Sequence, residues 1–92
     1  MKSAYELAME RLEQKEGKRA ALSDEQKKQI AEVESQLKAK IAEIEIMMEK
    51  GLAEARASGD AEKLDLLQRS KAHEIESARS RAESEKARIR EN

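Results

Sequence analysis

Through the middle of the chain, apolar residues recur at Ile30, Val33, Leu37, Ile41, Ile44, Met48, Leu52 and Ala55. This 3-4-4 rhythm averages about 3.67 residues per turn, so it draws one straight or slightly right-handed stripe along a helix. It arises from an 11-residue repeat seen three times, as Ile30-Ala31-Glu32-Val33-Glu34, Ile41-Ala42-Glu43-Ile44-Glu45 and Leu52-Ala53-Glu54-Ala55-Arg56. The same spacing returns at Leu64, Leu67, Lys71, Ile75, Ala78, Ala82, Lys86 and Ile89. Two helices that share one period can pair along their whole length.

Capping signals bound these stretches. Ser3-Ala4-Tyr5-Glu6 and Ser23-Asp24-Glu25-Gln26 fit the capping box, in which the serine hydroxyl serves a free backbone N–H and the Glu or Gln three residues on reaches back. Gly17 and Gly59 stand where a helix ends in a left-handed residue, and Asp60 can cap the next one. The predicted helices are about 3–16, 24–57 and 61–90. Gly51 falls inside the second, where it costs up to ~1 kcal/mol relative to alanine; it reads as a tolerated weak point or a site of close contact.

If the chain reverses at Gly59-Asp60, facing residues have numbers that sum to a constant, and the two stripes satisfy this at 119. The seam then pairs Ala55 with Leu64, Leu52 with Leu67, Met48 with Lys71, Ile44 with Ile75, Ile41 with Ala78, Leu37 with Ala82, Val33 with Lys86 and Ile30 with Ile89. Large residues of the second helix oppose small ones of the third in the middle layers, which favours close approach. Lys71 and Lys86 are polar intruders expected to specify register, Lys71 beside Glu45 or Glu49 and Lys86 beside Glu32 or Glu34. Glu34 with Lys38 and Asp65 with Arg69 are spaced as helix-stabilising pairs. The predicted fold is all-α: an antiparallel two-helix coiled-coil hairpin with an 11-residue repeat, preceded by a short N-terminal helix, all in one helical domain over 1–92.

Composition narrows the function. The 92 residues are 42% charged and 1% aromatic, with no proline and no cysteine. Such a chain lacks the flat side chains that usually line a deep small-molecule pocket, and it offers neither a disulfide framework nor a thiolate nucleophile. Nineteen basic residues against 20 acidic ones give no electrostatic footprint of a nucleic-acid binder. The first seven residues are interrupted by charge, unlike a secretory leader, and no apolar run approaches a membrane span, so a cytoplasmic location is expected.

Candidates for chemistry are few. His73 is the single histidine, and position 70, where a Glu-x-x-His motif needs its carboxylate, is Ser70. The many glutamates flank an apolar stripe, as charges on a solvated helix face do. No phosphate loop, nucleophile elbow or His-Glu-x-x-His motif occurs. No catalytic residue, cofactor or metal is therefore expected.

A two-helix edge cannot fully bury its aliphatic residues, and small cores commonly need help from a partner. The expected partner is a second copy of the chain, as a homo-oligomer, or another helical protein, with the hairpin acting as a non-catalytic interaction or scaffolding module. Tyr5, Met9 and Leu12 share a face of the first helix with Ala8, while Ile46, Met47 and Leu66 lie off the seam; these are the candidate association surface. One alternative is a nucleic-acid or ribosome-associated hairpin acting through the basic end of the third helix, where Arg79, Arg81, Lys86, Arg88 and Arg90 cluster; cations there also suit the helix dipole. Another is a peripheral lipid-surface helix, since the 11-residue period resembles that of lipid-surface proteins such as the synucleins. The resemblance covers the period alone, because their Lys-Thr-Lys-Glu-Gly-Val consensus is missing and glutamates flank the stripe. Neither nucleic acid nor a membrane is the expected partner.

Overall fold

The computed structural model describes residues 3–11 and 22–92, and every regular element among them is a helix. These are α1 (residues 4–11), α2 (Asp24–Ser58) and α3 (Ala61–Glu91). α2 and α3 pack against each other as an antiparallel hairpin. Each ends one residue beyond the end expected from the capping signals. The remainder of the expected first helix, residues 12–16, and Gly17 with the connector that follows lie outside the described residues.

Local chemistry explains where each helix begins. The Ser3 hydroxyl accepts the Glu6 N–H at 3.2 Å ahead of α1. At α2 the capping box is reciprocal: the Gln26 N–H donates to Ser23 Oγ at 3.1 Å, and the Ser23 N–H donates to Gln26 Oε1 at 2.9 Å. Two of the donors that a helix start leaves free are thereby satisfied.

The turn between the long helices is equally local. Gly59 adopts φ 69°, and the N–H groups of Gly59 and Asp60 donate to the carbonyls of Arg56 and Ala55 at 3.2 and 3.1 Å. These two bonds form a Schellman motif, which satisfies carbonyls that the end of α2 would otherwise leave open. Asp60 Oδ1 then accepts the Lys63 N–H at 3.0 Å and starts α3. A Cβ on Gly59 would meet nothing within 4 Å, so the left-handed backbone, and not space, is what calls for glycine there.

The core lies along the contact between α2 and α3. Val33, Ile44, Leu52, Ala55 and Ala82 are its buried apolar residues. Gly51 sits over it: a Cβ at this position would stand 3.4 Å from Leu67 Cδ1, an ordinary contact distance, so the glycine marks a close approach that an alanine can still fill. Among the described residues no helix is long and apolar enough to cross a membrane.

Candidate interaction surface

The structure places the seam residues along the facing sides of α2 and α3. Val33, Ile44, Leu52, Ala82 and Lys86 are buried there, as is Ala55. Ile30, Leu37, Ile41, Met48, Leu64, Leu67, Lys71, Ile75, Ala78 and Ile89 are only half-buried. Two helices enclose a line of contact but not a volume, so the edges of most large aliphatic residues stay wet. Two cross-helix contacts, Glu34 with Lys86 and Gly51 with Leu67, have numbers summing to within one of 119.

The two faces of the hairpin differ. On one, a groove of about 540 Å³ has an apolar floor of Val33, Leu37, Ile44, Ala78 and Ala82, extended by Met47, and a rim of Gln36, Lys40, His73, Glu74, Ser77, Arg81 and Glu85. It opens where three small residues of α3, Ser77, Ala78 and Ala82, line it beside Leu37 and Ile44 of α2. The other face carries a groove of about 520 Å³ lined by Ala42, Glu45, Ile46, Glu49, Leu52, Arg56 and Lys71, a mostly charged set. An apolar floor ringed by both signs of charge is the ordinary anatomy of a protein contact.

Lys86 is the buried charge of the seam, with its residue 9% exposed. Its Nζ lies 2.8 Å from Glu83 Oε1 and 3.6 Å from Glu34 Oε1. The hydrogen bond from Lys86 holds the Glu83 carboxyl below the usual glutamate range, with Lys86's charge adding to it. Glu83 in turn raises the Lys86 ammonium above its usual range, against the opposing effect of burial, and Glu34 adds to the rise. Glu34 therefore faces across the hairpin and not towards Lys38, whereas Asp65 and Arg69 do pair, at 3.1 Å. Among the described residues Lys71 has no ion-pair partner within 4.0 Å, although Glu45 and Glu49 line the same groove.

The open end of the hairpin has a second tie that sequence reasoning missed. Gln26 Nε2 donates to the Ile89 carbonyl at 2.9 Å and to the Asn92 carbonyl at 2.7 Å. One side chain thus caps the start of α2 with its oxygen and serves the carbonyls at the end of α3 with its nitrogen. The available signal was the glutamine itself. A glutamate would complete the capping box equally well but has no N–H to spare.

Among the described residues, the off-seam apolar residues of the hairpin, Ile46, Met47 and Leu66, do not share one groove. Tyr5 and Met9 are exposed on α1, and Leu12 lies outside the described residues. Met47, 73% exposed, extends the apolar groove; Ile46, 71% exposed, lines the opposite one; Leu66, 67% exposed, lines neither. His73 is exposed at the rim of the apolar groove, and among the described residues no group of three potential ligands is placed to hold a metal. No protein family matches the chain, and no curated protein or solved structure is significantly similar to it.

Proposed function

We propose that this protein is a non-catalytic interaction module: a helical hairpin that presents its half-covered seam to another helical protein, a second copy of itself first. The observation that carries the proposal is the apolar groove flanked by Lys40, Glu74, Arg81 and Glu85. Its floor continues the residues that already hold the hairpin together, so a partner helix laid into it would complete their burial. Apolar area removed from water contributes about 25 cal/mol per Å², and the half-buried aliphatics of the seam are the part of this surface that the hairpin alone leaves uncovered. The same proposal places the protein in the cytoplasm, the default setting for a helical module whose outward faces are charged.

The nucleic-acid alternative draws less support. Lys86, the central cation of the basic end, is committed to Glu83 and Glu34, which leaves Arg79, Arg81, Arg88 and Arg90 at the surface among glutamates. Molar mass by light scattering across a concentration series, with helicity followed by circular dichroism, tests the interaction reading. A mass that rises from 10.4 kDa to a multiple of it while helicity is retained supports the proposal. A fully helical monomer at every concentration contradicts self-association.

A further inference from the structure

The self-association just proposed can be assigned a surface and a symmetry. We propose that the apolar-grooved face is a two-fold interface between copies of this chain, with the axis crossing the hairpin at the level of Ser77, perpendicular to the helices. The assignment rests on the self-association reading and goes further by naming the face, the orientation and the residues at the centre.

Charge placement selects this arrangement. Ser77 lies nearly midway between Glu74 and Arg81, which line the groove. Across the hairpin the same level of α2 falls between Lys40, which also lines it, and Glu43, the ion-pair neighbour that flanks Lys40. An axis at that level lays α3 against α3 and α2 against α2, each pair antiparallel. Arg81 then meets Glu74 of the second copy, and Lys40 meets Glu43 of the second copy; each contact occurs twice, as an isologous interface demands. The alternative two-fold, with its axis along the hairpin, sets Lys40 against Arg81 of the second copy, a like-charge contact that disfavours it. Lys40 and Glu43 are only loosely paired within one chain, at 3.9 Å and well exposed, so both can be redirected at little cost.

Size supports the same axis. The level of Ser77 is close to the midpoint of both α2 (Asp24–Ser58) and α3 (Ala61–Glu91), so the two hairpins overlap over their full length. A face about 50 Å long and roughly 15 Å wide buries on the order of 1,500 Å² in total, the standard size of a specific protein interface. The small side chains of Ser77, Ala78 and Ala82 lie at the centre, where two α3 helices approach most closely.

Because the chain has no cysteine, single introduced thiols report the interface without background. Ser77→Cys places a thiol beside the axis, near its own symmetry mate and within disulfide reach. Ala42→Cys places one at the same level on the opposite face. Under mild oxidation, Ser77→Cys is expected to give a covalent dimer and Ala42→Cys to stay monomeric on a denaturing gel. Arg81→Glu, at an exposed site, is expected to weaken the dimer at least tenfold by sedimentation with unchanged helicity, and adding Glu74→Arg to it is expected to restore the dimer. Cross-linking through Ala42→Cys and not Ser77→Cys overturns the assigned face while leaving self-association standing. A wild-type chain that sediments as a monomer at every concentration overturns both.

Discussion

At the turn, α2 and α3 are joined by hydrogen bonds that span no more than five residues of chain, from Asp60 back to Ala55 and from Lys63 back to Asp60. At the open end, Gln26 reaches Ile89 and Asn92, 63 and 66 residues away, and Lys86 reaches Glu34. The first set forms wherever the local sequence is present. The second forms only once the helices already lie side by side, so it reports the hairpin and does not create it. The turn end should accordingly be the more persistent part of the molecule, and the open end the first to separate.

Substitutions can break or sharpen that contrast, and the largest effect is expected in the core near the turn. Leu52→Ala removes a buried side chain and should cost about 2–3 kcal/mol, the low end for such truncations because a two-helix seam can partly collapse. Urea unfolding followed by circular dichroism measures it. Gly59→Ala follows, at about 1–2 kcal/mol, since the left-handed backbone disfavours any Cβ even in open space. Its loss should be global in the same unfolding experiment, because the turn serves both helices.

Gln26→Ala should cost about 1 kcal/mol, yet with a different signature. Amide exchange should quicken chiefly in the first turns of α2 and the last turns of α3, while amides around Leu52 and Leu67 keep their protection. A uniform loss of protection would instead mean that the two ends act as one unit. Gly51→Ala should stabilise the hairpin by up to ~1 kcal/mol, because the added methyl gains helix propensity and meets Leu67 at an ordinary distance. A destabilised variant would show that α2 and α3 are already as close there as packing permits.

The smallest effect is on pH dependence. Glu83 is held below its usual pKa, so its contribution is present above the unfolded value and is lost as pH falls through the folded one, below about pH 4. Lys86 is raised, so its contribution is present below the unfolded value and is lost as pH rises through the folded one, above about pH 10. Between these limits the pair should leave stability flat, and Lys86→Met should lessen both losses. A slope confined to neutral pH would point to another group.

The same division of near and far decides how much of the molecule could be read in its sequence. Ser23, Gln26, Gly59 and Asp60 announce helix ends because each acts on backbone within five residues of itself. The 11-residue period announces a stripe, and two stripes about a short turn announce a hairpin. The difference between the faces was not legible, since it depends on which flank of each stripe turns to which side and on the gap left by Ser77, Ala78 and Ala82. Ile46 and Met47 are adjacent in sequence, yet they line opposite grooves. Glu83 as a partner for Lys86 is not signalled by the pairing of the two stripes, because it lies one turn away on the same helix, where i,i+3 neighbours meet.

The distance across the open end tests the central claim most directly. Spin labels at Glu32→Cys and Arg88→Cys occupy exposed sites on α2 and α3 at nearly the same level, in a chain with no other cysteine. Diluted with unlabelled protein so that only one chain is read, the pair should show a distance within about 25 Å, as neighbouring helices 8–10 Å apart require. A distance near 80 Å, the separation along one continuous helix, would contradict the hairpin.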